Sequence, residues 1–356
     1  MSTAVRFPGL LLIALLLLGG CEKNQPVYNS RFLAFGTLTD ISIVGVPRKR
    51  AESAVETLEE DFAIMHKAWH AWAPGPLTRT NNLLAEGVRF AVPPSVLTLM
   101  KRSRELARQS DQLFNPAVGR LIKLWGFQSD TIRNQRPPDD AAIEKLLQAN
   151  PSMEDIHIDG IHAQCSNPAV QLDFGAIGKG YGIDLAIEHL KEMGIENAIV
   201  NSGGDLRAIG SRSGHPWRIA IRSPSGSGTL GFLYVSGDES VFTSGDYERN
   251  YLWKGTLYHH IIDPRTGYPA RGTRSVTVIH ENATVADAAA TALFVAGPED
   301  WHRIARQMGI KYVLLIDEHN VVHMNPAMQK RVQLMDKNQA LEISKPLIET
   351  GSATPE

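Results

Sequence analysis

The chain is poor in cysteine, nearly balanced in charge, and holds only one long apolar run. Two cysteines in 356 residues exclude a disulfide framework. Lys plus Arg number 36 and Asp plus Glu 38, a formal net charge of −2. The basic excess of a nucleic-acid binder is missing, so no nucleic-acid partner is expected. With 43% hydrophobic and 21% charged residues, the chain is too apolar for a disordered protein. No internal repeat of about 20 to 50 residues is visible. The length admits two units of about 150 residues or one large domain.

The apolar run is LLLIALLLL, Leu10 to Leu18. A bilayer span takes about 20 residues, so this run fits a signal-peptide core, with Arg6 as its positive flank. Leu18-Gly19-Gly20-Cys21 follows. Small residues before a cysteine resemble a bacterial lipobox, in which Cys21 becomes the acylated N-terminus. An ordinary secretion signal is the alternative. The expected organisation is a signal peptide over 1–20, a tether over 21–30, a catalytic domain over 31–345 and a flexible tail over 346–356. Residue 22 is Glu rather than Asp, so the usual inner-membrane retention signal is missing. The expected location is the bacterial cell envelope, lipid-anchored and facing the periplasm. With Cys21 acylated, Cys165 has no thiol left to pair with.

Residues 31–46 alternate as a strand or hairpin. Ala51, Val55, Leu58, Phe62 and Met65 mark a helical stripe, and Ser95 is placed to cap another helix. A helix is expected over Asp140 to Gln148. Beyond it come short β-like runs: IHIDG, AVQLDF, NAIVNS, WRIAI, GFLYVSG, SVFTSGD, HHIID and SVTVI. Helices near 178–193, 284–296 and 299–308 interrupt them. Grouped strands and grouped helices predict an α+β fold with antiparallel sheet and packed helices.

Several motifs carry little. Gly226 to Gly231 matches G-x-G-x-x-G, but a strand follows where a dinucleotide site needs a helix. His66 and His70 lie four apart without an obvious third ligand. His162 and Cys165 form an H-x-x-C pair, weak by itself as a zinc signal.

Three segments combine into a site. Residues 172–184, LDFGAIGKGYGID, run from a strand through glycines into a helix. Glycines admit close backbone approach, a helix start offers N–H groups to phosphate, and Lys179 adds positive charge. Residues 258–267, YHHIIDPRTG, end a strand at a turn. Alternation puts His259 and His260 on opposite faces, so one of them can serve as a base. Residues 284–292, TVADAAATA, favour helix. Asp287 and Thr291 then share a face as hard oxygen ligands of the kind Mg²⁺ takes alongside phosphate and water.

These segments resemble the ApbE family of flavin transferases. The matching stretches are LDFGAIGKGYGID, NSGGDLRAIG, SGDYER, HIIDPRTG and ADAAATA, with FGT at 35–37 and FNPAVGRLIKLWGF at 114–127. The resemblance runs over roughly residues 30–335. It implies an ApbE-like, T-fold-like α+β domain and Mg²⁺-dependent transfer of FMN from FAD to a threonine hydroxyl of a target protein, with AMP released. The implied acceptors are subunits of Na⁺-translocating NADH:quinone reductase or Rnf-type complexes. It further implies Asp287, Thr291 and the Ala176 carbonyl as metal ligands, and His260 as the catalytic base. FAD contacts fall at Phe35, Trp72, Leu113, Phe114, Asn115, Asp173, Lys179 and Ile262. Phe35 stands where the family often has Met. Asn115 stands where it commonly has Asp, which removes a carboxylate from the FAD contacts. Mg²⁺-dependent hydrolysis of FAD to FMN and AMP is the same-class alternative, and a flavin-binding lipoprotein without turnover is the other.

Overall fold

The computed structural model describes residues 25–129, 131–226 and 228–348, so the expected signal peptide and Cys21 lie outside the described residues. Strands β1 (Val27–Ala34) and β2 (Thr37–Val44) form a hairpin in full register, Val27 opposite Val44 and Ala34 opposite Thr37. β1 therefore takes up residues 27–30 of the expected tether. Helix α1 (Arg48–Trp69) carries the anticipated stripe, with Leu58 and Phe62 fully buried.

Helix α2 (Pro76–Glu86) follows, then the short β3 (Phe90–Ala91) and helix α3 (Pro94–Gln109). Ser95 does not cap α3. Pro93 holds the N-cap and Pro94 starts the helix, where a missing N–H costs nothing. Helices α4 (Gly119–Leu124) and α5 (Asp140–Gln148) lead to the hairpin of β4 (Ile156–Asp159) and β5 (His162–Cys165). AVQLDF forms no strand, only a single bridge from Gln171 to Val118. The Asn81 side chain takes the strand partner's place, accepting from Leu172 N–H at 2.7 Å and donating to Leu172 C=O at 2.9 Å.

Helix α6 (Gly178–Glu192) precedes β6 (Ala198–Ser202), β7 (Asp205–Gly210), β8 (Trp217–Arg222), β9 (Thr229–Val235) and β10 (Gly237–Gly245). Thr229 to Gly231 of the G-x-G-x-x-G match lie in β9, paired with β8, so a strand rather than a helix follows the first glycines. β11 (Asn250–Trp253) and β12 (Thr256–His259) pair only with each other, and β13 (Thr273–His280) returns to the main sheet. Helix α7 (Ala283–Gln307) is broken at Gly297, φ 73°, before Pro298, which separates the two helices expected there. β14 (Tyr312–Asp317), β15 (Val322–Met324), helix α8 (Pro326–Gln329), β16 (Val332–Leu334) and β17 (Leu341–Ile343) complete the chain.

The nine-stranded sheet runs β1-β2-β6-β7-β10-β13-β14-β15-β17 and is antiparallel except between β15 and β17. The largest core cluster joins α1, α3, α6 and α7 to one face of this sheet; a second joins its other face to β8, β9 and β16. A third, around Trp125 and Phe127, joins α4 and α5 to the β11–β12 hairpin. The expected α+β architecture is present. Of the expected tail only residues 346–348 are described, and they are docked: Leu347 is 4% exposed within the main core, and just before it Lys345 C=O accepts a hydrogen bond from His302.

Candidate active site

The site forms where α6, α7 and β10 meet the loops flanking β12. Lys179 is the second residue of α6, and its ammonium pairs with Asp205, the first residue of β7. The other Asp205 oxygen accepts the Thr243 N–H on β10 at 2.9 Å. Burial opposes the Lys179 charge, yet Asp205, Glu248 and Asp287 together hold its pKa above the ordinary lysine value.

Asp287 is 5% exposed and accepts the Gly180 N–H at 2.8 Å. Burial pushes its carboxyl up to about 7, with Asp205 and Glu248 adding to the rise against the pull of Lys179 and the Gly180 amide. Gly180 has to be glycine: a Cβ there would lie 2.4 Å from Ala283 O and 2.8 Å from Asp287 Cβ. One turn along α7, Thr291 Oγ1 stands 3.3 Å from Ser244 Oγ of β10. Among the described residues no three His, Cys, Asp or Glu side chains gather into a metal site. The Asp287 carboxylate, hydroxyl groups and the carbonyls of the glycine-rich turn remain, the nearby Asp205 being taken by Lys179. That all-oxygen set suits Mg²⁺, which keeps waters and takes phosphate oxygens.

The two neighbouring histidines divide as alternation requires. His259 is buried and structural: Nε2 lies 2.9 Å from Ala270 O, and Nδ1 accepts the Ile261 N–H at 3.3 Å. His260 points the other way. Its Nδ1 is buried without a hydrogen-bond partner, and its ring sits 6.4 Å from Phe127. Burial first, then the neighbouring His259 and the Arg249 and Lys179 cations, push its pKa down to about 3. The imidazole is therefore neutral at pH 7 and able to accept a proton. A buried polar atom without a partner is uncommon in folded proteins.

The expected FAD contacts fall into groups. Phe35 occupies the β1–β2 turn at φ 50°, a left-handed conformation costly outside glycine. Its ring stacks on Trp69 at 5.8 Å and lies against Gly182, where a Cβ would come within 2.9 Å. Trp72 is 38% exposed, with the Arg249 guanidinium 5.8 Å from its ring. Arg249 also donates to Phe127 C=O and Ser129 C=O, both at 2.7 Å. Asp173 accepts from Gln128 Nε2 at 2.8 Å and from Gly175 N–H at 2.9 Å. Its own N–H reaches Pro116 C=O at 2.9 Å, which brings the 113–117 loop beside the glycine-rich turn. Within that loop, Leu113 and Phe114 put their side chains into the main core. Asn115 bonds Pro151 C=O and Ala117 N–H, both at 3.0 Å. Ile262 is buried with Trp125 and Phe127. Ala176 lies in the turn before α6, half-buried against the main core.

Sequence reasoning did not single out Asp205, Asp184, Arg207, Ser244 or Arg249. A signal was present in NSGGDLRAIG, where Asp205 and Arg207 alternate on a strand that is otherwise apolar. The discarded motifs stay discarded. His70 Nδ1 accepts from Trp72 N–H and Ala73 N–H at the end of α1, and Cys165 is buried, its thiol pKa raised by that burial.

A glycine-rich helix start beside a buried carboxylate, hydroxyl groups and a neutral histidine is the equipment of a phosphate-handling α+β protein. The chain belongs to the ApbE family, whose model matches residues 35–314. It is 43% identical over 336 residues to the FAD:protein FMN transferase of Rhodobacter capsulatus, covering 92% of this chain but 63% of that relative's length. A relative of the same name in Treponema pallidum is 31% identical, with 94% of this chain and 97% of that one covered. Among solved structures, the ApbE protein of Thermotoga maritima matches with TM-score 0.79 and 32% identity, over 86% of this chain and 99% of that one. The flavin transferase ApbE of Vibrio cholerae matches at 0.76 and 28%, over the same shares.

Proposed function

We propose that this chain is an FAD:protein FMN transferase that moves FMN from FAD onto a threonine hydroxyl of an acceptor protein and releases AMP. The observation that carries this is the Asp287 carboxylate seated on the Gly180 amide of the Gly-rich turn, with Thr291 one turn along and Lys179 near enough to His260 to depress its pKa, in a chain of the ApbE family. Asp287, Thr291 and the Ala176 carbonyl would hold Mg²⁺, which supplies charge neutralisation for a pyrophosphate.

The residues of the chain do the rest. Lys179 binds phosphate oxygens through its ammonium; the helix start itself lends little, since the Gly178, Gly180 and Tyr181 N–H groups are taken by Phe174 C=O, Asp287 and Ile177 C=O. Phe35 and Trp72 offer ring faces to the flavin. His260 Nδ1 accepts the proton of the incoming hydroxyl as its oxygen bonds to the FMN phosphorus. The bond from that phosphorus to the bridging oxygen breaks, and AMP leaves with the electron pair. Anionic phosphates beside Lys179 and Arg249 offset the two cations that depress the His260 pKa, which makes it a stronger base when FAD is bound.

The acceptor class is a flavin-carrying subunit of NADH:quinone reductase or Rnf-type complexes. The motifs at Leu10–Leu18 and Cys21 support a lipid-anchored protein facing the periplasm. The decisive assay incubates the protein with FAD, Mg²⁺ and such a subunit. FMN mass on the acceptor together with free AMP is the expected result. Free FMN and AMP without acceptor labelling would make the protein a hydrolase, and no AMP would make it a flavin carrier. For the anchor, Cys21→Ser should abolish incorporation of labelled fatty acid.

A further inference from the structure

Asp184 lies on α6, four residues after Gly180, and is 7% exposed. Its Oδ1 accepts Ala283 N–H at 2.8 Å and Arg207 Nη1 at 2.7 Å. Its Oδ2 accepts Thr284 N–H at 2.8 Å and Thr284 Oγ1 at 2.6 Å. Ala283 and Thr284 are the first two residues of α7. The helix caps its next amide itself, Val285 N–H to Asn282 Oδ1 at 2.9 Å. So two of the N–H groups that a helix start leaves without an intrahelical partner are met by a carboxylate from another helix about 100 residues earlier in the chain.

This bond has a counterpart. Asp287 of α7 accepts the Gly180 N–H of α6. Each helix therefore gives a carboxylate to the other's backbone, four residues apart on α6 and three to four apart on α7. The two grips flank the close approach at Gly180, where no Cβ fits. β7 anchors the arrangement with two ion pairs of opposite sense on one face, Asp205 with Lys179 and Arg207 with Asp184. Arg207 is held in turn by Asp238 at 2.7 Å. Sliding α7 along α6 would leave a buried carboxylate and two amides unpaired together, which is costly.

We propose that Asp184 is a positioning residue for the metal site. It fixes the axial position of α7 against the glycine-rich turn, and thereby the spacing of Asp287 and Thr291 from the Ala176 carbonyl. The inference rests on the metal assignment made above. Asp184 itself touches neither substrate nor metal.

The test reads metal binding directly, by Mn²⁺ electron paramagnetic resonance on the folded protein well below its unfolding temperature. Asp184→Asn keeps one acceptor oxygen and loses the charge; its Mn²⁺ dissociation constant should rise at least tenfold. Asp317→Asn is the control. It disturbs a buried carboxylate bonded to His323 and to the β14–β15 turn, so it should lower the unfolding temperature and leave Mn²⁺ affinity unchanged. A dissociation constant for Asp184→Asn within twofold of wild type, or an equal rise in Asp317→Asn, overturns the inference. Should Asp184→Asn not fold, Thr284→Ala removes one of the four donors and should raise the constant severalfold; no rise overturns the inference equally. Asp287→Ala separates the two readings: retained Mn²⁺ binding there would sink the metal assignment and the inference with it. Lost binding there with unchanged affinity in Asp184→Asn would sink the inference alone.

Discussion

At the scale of single residues, the adjacent histidines carry opposite duties. His260→Ala should leave FAD binding within about twofold and lower FMN transfer by the 10²–10⁴ that general-base catalysis typically contributes; equilibrium binding and single-turnover transfer measure the two. Transfer at the wild-type rate would remove the role of base. His259 makes a separate prediction. As the neutral Nε2–H tautomer it satisfies both ring nitrogens, and protonation at Nδ1 would set a donor against the Ile261 N–H. Burial, first of all, pushes its pKa down to about 4. The unfolded chain binds this proton from pH 6.5 downward, whereas the native state resists until about 4. The contribution is complete above pH 6.5 and is lost as pH falls, by about 1.4 kcal/mol per unit through this window. Urea midpoints for wild type and His259→Gln at pH 7, 6 and 5 check it, and the variant should show the shallower loss. Alternation alone separated the two side chains but left open which of them faces the site. The contacts that distinguish them come from Ala270, Arg249 and Phe127, and no local pattern announces those.

At the scale of elements, α6 and α7 act as one unit. Gly180→Ala would press a methyl against the backbone of Ala283. Overpacking of this kind typically costs about 1–3 kcal/mol. Here it also pushes Asp287 off the Gly180 amide, so Mg²⁺-stimulated FAD turnover should fall more than stability does. Calorimetry beside an AMP-release assay compares the two. The helical face of Asp287 and Thr291 was legible because period 3.6 reports directly on shared faces. The clasp through Asp184 was not, since its partners lie in another helix and on β7. AVQLDF misled for a related reason: its pattern is that of a strand, but the Asn81 amide from α2 takes the place of a neighbouring strand. The start of α3 was misplaced because Pro93-Pro94 fixes the chain direction before Ser95 can cap it.

At the scale of the whole molecule, the grouping of strands and helices was legible as α+β, while the order of the nine-stranded sheet was not. Neighbours such as β2–β6 and β10–β13 are distant in sequence, and pairing across long connections leaves little trace in local composition. The C-terminal segment shows the same limit. Residues 346–356 read from their polar composition as a free end, yet Leu347 enters the main core. Leu347→Ala should therefore cost about 2 kcal/mol or more, as buried leucine truncations do, seen as a lower urea midpoint. A change under about 0.5 kcal/mol would mean that the segment does not dock in solution.

The order of the main sheet also makes the fold its own ruler. Its first strand, β1, and its last, β17, form the two outer edges. Nine strands spaced about 4.8 Å apart set those edges roughly 38 Å from each other. A donor dye near Val27 and an acceptor near Ile343 would span that width without touching Lys179, Asp287 or His260. Their energy transfer would then report whether the sheet opens strand by strand from its margins or comes apart all at once.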